Sequence, residues 1–420
     1  MGDVIRPVEP VEPVESVEPL DDPRGTRFAV SAYLVVAAVL VAIVAGSVHL
    51  LSRWSGYPIA PLHFPGSWLL EGWVRWDGNW YRDIVSNGYE SHGTNAQANL
   101  AYFPGYPMAM WPVAQVVGSS ALAGIAVTFA SGLVAVVGFQ RWARSRLDPL
   151  TTRVAVGLLL LYPYAWYLYG AVYADALFLA LAVAAFLLLE GGHPVWAGVV
   201  GALASATRPV GIAVAIGLVL VTVERRGGFR RLRRLRRGDC GVLLSFGGLA
   251  AWSAYQGVRW GNPLLFTDIE GAPGWDQPVG PRTWFKVSFL QRLHHLPRWL
   301  NDSVSNSHGQ SPHAWSESVY TLSILLQALL VLGAIVLIWV VWRRIGWGYA
   351  GYCIAIVALA AIGTKDFLGA GRYLIGAFPL FAAGALMLTD RPKLRVAVLA
   401  MSGLLLAGLA SAYARGYYLA

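Results

Sequence analysis

Residues 153–190 read RVAVGLLLLYPYAWYLYGAVYADALFLALAVAAFLLLE. The run is nearly unbroken in apolar character and is longer than the roughly 20 residues that one membrane crossing needs. Its inner carboxylate is Asp175, and arginines cluster on both sides of it. Arg141, Arg144, Arg146 and Arg153 precede the run, and Arg225, Arg226, Arg230, Arg231, Arg233, Arg234, Arg236 and Arg237 follow the next one. Lys and Arg concentrate on the inner side of membrane proteins. With both clusters inside, 153–190 must cross twice and turn near Gly170. The same parity splits 194–223 into a short helical pair meeting near Thr207–Pro209, or makes it a re-entrant element.

The whole chain agrees with this reading. Of its 420 residues, 56% are hydrophobic and 13% charged, and mean hydropathy is +0.52. Soluble domains carry about 45–50% apolar and about 25% charged residues. An ordinary soluble enzyme, a disordered chain and a disulfide scaffold are excluded. The two cysteines, Cys240 and Cys353, have no metal-ligand spacing. The net charge of +9 hides an acidic start: seven of the 23 acids lie in the first 22 residues. There the run VEPVEPVESVEP favours an extended polyproline-like tail, so residues 1–27 are expected as a disordered cytoplasmic tail. The basic excess elsewhere falls between apolar runs, where it sets topology rather than binding nucleic acid.

Working outward, apolar runs fall at about 28–51, 113–140, 153–170, 172–190, 194–223, 240–258, 318–341, 346–363, 371–388 and 394–413. Arg343 with Arg344, and Arg391, Lys393 and Arg395, complete the inner clusters. The expected fold is an all-α polytopic membrane protein of about eleven spans, over residues 28–415, with two long outer loops at about 52–112 and 259–317. The parity gathers five segments on one outer face: 52–112, 170–175, Thr207–Pro209, 259–317 and 364–372. A wet face built from distant loops suits an enzyme or receptor working at the outer leaflet. Transporters more often carry ionisable groups mid-span and show inverted repeats; neither is visible, although a lipid or solute transporter is the alternative reading. A scaffold protein would leave the clustered aromatic and acidic residues of the first loop unexplained.

The richest outer stretch is WVRWDGNWYRDIVSNGYE, residues 73–90. As a helix it places Asp77, Trp80, Tyr81 and Ile84 on one face, with Asp83 on another. This is either an interfacial helix with belt aromatics or a general base in a partly desolvated pocket. Next, AYFPGYPMAMWP (101–112) has prolines and Gly105 that oppose a regular helix, so a rigid turn is expected, with Tyr102, Phe103 and Tyr106 as possible pocket walls. Asp175, near Tyr173 at the 170–175 turn, must be paired or face a cavity. Pairing with an arginine and contact with substrate hydroxyls are both open. Arg208, in SATRPVG, is flanked by apolar sequence, and either a phosphate or a carboxylate such as Asp175 would satisfy it. TKDFLGAGRY (364–373) adds Lys365 and Arg372. The 259–317 loop carries Asp268, Glu270, Asp276, His294, His295, His308 and His313 without metal-site spacing, and is expected to shape an acceptor cleft.

RWDGNWYRDIVSNGY (75–89) followed by FPGYP (103–107) resembles the PIG-V-like mannosyltransferases, a branch of the GT-C superfamily. YPYAWYLYGAVYADALF (162–178), ATRPVGI (206–212), GNPLLFTDIEGAPGW (261–275) and GRYLIGAFPLFAAGA (371–385) follow in order, so the resemblance covers about residues 70–390. It implies a GT-C-like helical bundle that takes mannose from a polyprenyl-phosphate donor to a lipid-linked or cell-envelope acceptor, inverting the sugar carbon. It implies Asp77 as the catalytic base. Arg208, Lys365, Arg372 and Arg75 are then the expected donor-phosphate cations, and Trp76, Trp80, Tyr81, Tyr106, Tyr173 and Asp175 the expected substrate contacts. The chain departs from the eukaryotic pattern in having Asp175-Ala176 where a Glu-Ser pair is usual, and it lacks adjacent paired acids in the first loop. No divalent metal or other cofactor is expected. The Arg, Ala and Val content points to the plasma membrane of a high-GC bacterium.

Overall fold

The computed structural model describes residues 22–53, 62–64, 66–94, 96–275, 277, 280–305 and 312–419. Among these residues the regular elements are helices only. Four helices are long and apolar enough to cross a membrane: Pro23–Leu50, Ser120–Arg144, Glu317–Arg344 and Pro392–Ala414. Ala370–Gly376 and Pro379–Leu388 make a fifth only if taken as one span, bent by 88°. The other runs expected to cross are shorter or broken. They form Pro149–Leu160, Asp175–Glu190, Pro194–Ser205, Ile212–Arg225 and Trp347–Ile362, and a 3-10 stretch Arg237–Phe246 that leads into Gly247–Trp260. The turn expected near Gly170 lies between the 3-10 helix Ala165–Leu168 and Asp175, and the 194–223 run divides at Ala206–Gly211.

Local chemistry explains these boundaries. Asp22 accepts a hydrogen bond from Gly25 N at 2.9 Å and Pro23 opens the helix, as an N-cap and an N1 proline should. The first helix therefore begins inside the segment expected as tail; residues 1–21 of that tail lie outside the described residues. Asp148 caps Pro149–Leu160 in the same way, accepting from Leu150 N and Thr151 N at 2.9 and 3.0 Å. Residues 101–112 correct an expectation. Gly105–Val117 is helical despite its prolines. Pro107 falls in the first turn, where a missing N–H costs nothing, while Pro112 sits in the helix interior.

The two expected outer loops also contain helices: Trp68–Glu71 and Asp77–Asn87 in the first, and Leu265–Glu270, Pro281–Trp284 and Val287–Ser305 in the second. Asp276 and His308 lie outside the described residues.

The core is strongly aromatic. Trp73, Trp166, Tyr164, Tyr167, Tyr169 and Tyr173 are buried, and Tyr33 donates its hydroxyl to Leu168 O at 2.8 Å, fastening the first helix to the 165–168 turn. The Asp175–Glu190 helix runs from this aromatic centre to an arginine-rich end. There Glu190 accepts from Arg146 and Tyr349, and Arg225 donates to Leu189 O and Glu190 O at 2.7 and 3.1 Å. Asp175, at the other end of the same helix, belongs to a different cluster.

Candidate active site

Asp77 and Asp175 each open a helix, where the macrodipole favours a negative side chain. Backbone pairing holds the two starts together: Val172 N donates to Trp73 O at 3.2 Å, and Asp77 N donates to the Tyr173 hydroxyl at 3.2 Å. Gly105 brings in a third element. Its N–H donates to Ala206 O at 2.7 Å, and a Cβ there would come within 2.8 Å of the same oxygen. The first loop is thereby seated on the turn that carries Arg208.

Four charges alternate across this centre. Arg372 donates from Nη1 to Asp77 Oδ2 at 2.9 Å, and its Nε stands 4.0 Å from Asp175 Oδ2. Arg208 donates from Nη1 to Asp175 Oδ1. The Asp77 and Arg372 side chains are 15% and 12% exposed, whereas Asp175 is 2% exposed. A carboxylate with one face reachable thus sits beside a fully enclosed one. The Tyr102 hydroxyl donates to Asp77 Oδ1 at 3.1 Å. Burial, and then the Asp77 carboxylate itself, hold that hydroxyl well above the usual tyrosine range, so it remains a donor. Arg372 Nε is buried and makes no hydrogen bond. The guanidinium of Arg372 lies 5.0 Å from the Tyr173 ring and 5.5 Å from the Tyr373 ring, and that of Arg208 lies 4.6 Å from the Tyr373 ring.

The remaining expected residues divide. Trp80 lies against Trp275 at 5.8 Å and Tyr102 at 6.1 Å, making an aromatic wall beside Asp77. Tyr81 is buried behind it, against Tyr102 and Tyr106. Tyr106 points inward, its hydroxyl bonded to Gly124 O at 2.9 Å and to Thr128; it packs helices and does not reach the carboxylates. Trp76 donates its indole N–H to Tyr417 O at 3.1 Å and packs on Tyr418 at 4.7 Å. Its φ of +52° is unusual for a bulky residue, and the strain falls immediately before Asp77. Arg75 is taken up by structure. It pairs with Glu71 at 3.0 Å and donates to Ala414 O and Val74 O, so it stands apart from the Arg208–Arg372 centre. Glu71 ends the Trp68–Glu71 helix and Arg75 lies beyond it, so the turn after Glu71 rather than a shared helix brings the two together.

Lys365 also stands apart. It borders a cavity of about 710 Å³ whose walls include Arg282, Arg292, His295, Glu317 and Asp366. Arg292 pairs with Glu317, and Asp366 accepts from the Tyr320 hydroxyl at 2.9 Å. Residues 270–275 and Gln277 stand between this cavity and Asp77. Lys365 N donates to Gln277 Oε1 at 2.9 Å, Gln277 N donates to Glu270 O at 3.1 Å, and Trp275 packs on Trp80 and Tyr102.

Glu270, half-buried in that loop, is a residue that sequence reasoning did not single out. Burial pushes its carboxyl up to about 7; Arg372 acts against the shift and Asp77 adds to it. Lys286, across the same face, is brought down to about 8 by burial, donates to Thr364 O, and sits 4.9 Å from the Phe367 ring. Among the described residues no three His, Cys, Asp or Glu side chains gather as a metal site.

No family model matches the chain, and no curated protein matches it. Two solved structures are similar in outline. One is the archaeal oligosaccharyltransferase AglB from Archaeoglobus fulgidus in complex with an inhibitory peptide and a dolichol-phosphate, at 12% identity and a TM-score of 0.43. That alignment covers 90% of this chain and 56% of the other. The other is the Archaeoglobus fulgidus oligosaccharyltransferase in the apo form, at 12% identity and a TM-score of 0.45, covering 92% and 56%. The chain thus spans little more than half the length of either.

Proposed function

We propose that the chain is a membrane glycosyltransferase that moves a sugar, mannose in the PIG-V-like reading, from a polyprenyl-phosphate donor to a lipid-linked or cell-envelope acceptor. The observation that carries the proposal is the Asp77 carboxylate. It is reachable, opens a helix, and is oriented from two sides by Arg372 and Tyr102. Each carboxylate oxygen accepts more than one hydrogen bond, so Asp77 can hold an acceptor hydroxyl while keeping both partners.

In this reading the acceptor oxygen attacks the sugar C1 from the face opposite the phosphate. The C1–O bond to the lipid phosphate breaks, its electron pair leaves with the phosphate, and the acceptor proton passes to Asp77. Attack from the opposite face inverts C1. General-base help of this kind is worth about 10²–10⁴-fold in rate. Charge developing on the leaving phosphate needs fixed cations. Arg208 and Arg372 face two carboxylates and balance them, and Arg372 Nε is the donor still open there. Lys365 and Arg282 line the neighbouring cavity, on the other side of the loop from that centre. Trp80, with Trp275, offers an aromatic face for a sugar ring. Asp175 orients the two arginines.

Asp77→Asn tests the proposal with purified protein and a labelled polyprenyl-phosphate sugar. The expected result is an intact thermal transition with sugar transfer reduced by about 10²–10⁴-fold. Near-normal transfer would remove Asp77 from the reaction. Movement of the lipid across vesicles with no glycosylated product would favour the transporter reading.

A further inference from the structure

The arginines of residues 225–237 do more than mark a chain end. Two of the eight are used internally: Arg225 on the carbonyls of Leu189 and Glu190, and Arg226 on Asp239 through two parallel bonds of 2.8 and 2.7 Å. Asp239 also accepts from Arg236 N at 2.7 Å. This pair closes the base of a loop, and no acid occurs between Gly227 and Gly238. Among the described residues no carboxylate pairs with the side chains of Arg230, Arg231, Arg233, Arg234, Arg236 or Arg237, and residues 229–238 are all exposed.

The apolar residues in the loop follow a rule. Phe229, Leu232 and Leu235 recur every third position, and Phe229–Arg234 is a 3-10 helix with a kink at Arg231. A 3-10 helix has three residues per turn, so positions i and i+3 eclipse. The kink at Arg231 falls between Phe229 and Leu232, and Leu235 follows the helix in extended backbone, so the loop presents three apolar side chains interleaved with pairs of arginines rather than one continuous helical ridge. These side chains have little protein cover, with Phe229, Leu232 and Leu235 exposed by 63%, 48% and 37%. Phe229 leans on the Trp347 ring at 5.3 Å. The loop follows Arg225, at the far end of the Ile212–Arg225 helix from Arg208, and the exposed Leu243 and Leu244 continue its apolar surface.

We infer that residues 229–237 form a docking element for a bilayer surface rich in anionic phospholipid, on the face opposite Asp77. Phe229, Leu232 and Leu235 enter the boundary of the acyl chains while the arginine pairs grip lipid phosphates with forked donors. Charge complementarity selects the partner: five guanidinium groups outside any ion pair, beside Arg236 whose charge also acts on Asp239, with apolar side chains interleaved, fit a surface that is anionic outside and apolar beneath.

The full-length protein carries its own probe position. Cys240 is exposed and Cys353 is buried, so an environment-sensitive thiol dye on Cys240 reports three residues beyond Arg237. The labelled protein in detergent is titrated with phosphatidylcholine vesicles alone and with vesicles containing phosphatidylglycerol. A blue shift is expected that needs phosphatidylglycerol and weakens with salt. The quadruple variant R230Q/R231Q/R233Q/R234Q should need roughly tenfold or more phosphatidylglycerol for the same shift. A second variant, F229S/L232S/L235S, keeps every charge. It should give a smaller blue shift at saturation while keeping the phosphatidylglycerol requirement and the salt sensitivity. Equal shifts in the two lipids, a quadruple variant that behaves as the parent, or an equal response to an RNA homopolymer would each overturn the inference.

Discussion

Arg372 lies within hydrogen-bonding distance of Asp77, 2.9 Å from Nη1 to Oδ2, although 295 residues separate them in sequence. The same guanidinium approaches Asp175 at 4.0 Å. One cation therefore holds two carboxylates apart and in place. Arg372→Ala should leave them facing each other with no cation between, Arg208 pairing with Asp175 alone. Removing one partner from a buried pair costs about 3–5 kcal/mol. The expected outcome is a lowered thermal transition together with loss of transfer. Arg372→Lys should recover stability in part and transfer less, because a point charge cannot serve Asp77 and Asp175 with a fixed fork. Unfolding in detergent beside a transfer assay separates the two effects.

Tyr102→Phe removes one hydrogen bond to the Asp77 carboxylate and leaves the aromatic wall. Hydrogen bonds to charged groups are worth about 1.5–3 kcal/mol, so kcat should fall roughly ten- to hundredfold with a small change in thermal stability. A steady-state assay checks this, and an unchanged kcat would show that Tyr102 does not orient the base.

Glu270 supplies a pH signature. Its carboxyl is raised from the ordinary value of 4.5 to about 7, so between these values the folded state holds a proton that the unfolded state has released. Stability then falls as pH rises from about 4.5 to about 7. Glu270→Gln should flatten the thermal transition over that window, and a wild-type slope retained in the variant would assign the effect to another group.

Gly371 packs directly under the Tyr164 ring, where an added Cβ would lie 2.5 Å from a ring carbon. Its N–H donates to Gln327 Oε1 and its carbonyl accepts from the Tyr162 hydroxyl, both at 3.0 Å. Gly371→Ala must push the 370–376 helix away from Tyr164 and carry Arg372 with it. Overpacking of this kind costs about 1–3 kcal/mol. Transfer should fall further than the stability loss alone explains, as measured at a temperature well below the transition.

Much of this centre was legible before any coordinates. Asp77 and its aromatic neighbours announce themselves because charged and aromatic residues alternate at helical spacing. Asp175 and Arg208 stand out because apolar sequence surrounds each, and such residues need partners. Their pairing was one of the readings open at that point. Arg372–Asp77 was not legible, since nothing local in GAGRY specifies which carboxylate will meet the guanidinium. Glu270 is ordinary in a polar loop; only its burial near Arg372 and Asp77 makes it unusual. Residues 101–112 are helical from Gly105 onward because a proline such as Pro107 opposes a helix only beyond its first turn. The expectation of about eleven crossings rests on hydropathy and on the parity of the basic clusters, and neither registers the Gly, Pro and 3-10 breaks that shorten several of those runs.

The Asp175–Glu190 helix is held at both tips. Asp175 is fixed to Arg208, and Glu190 to Arg146 and Tyr349. Its 16 residues span about 24 Å at 1.5 Å per residue, short of a typical hydrocarbon thickness of about 30 Å. A rod pinned in this way cannot lengthen to suit its surroundings. No residue of it is exposed, so a displacement at the Glu190 end is passed through packed side chains, and the arginine-rich end is mechanically tied to the carboxylate–arginine centre.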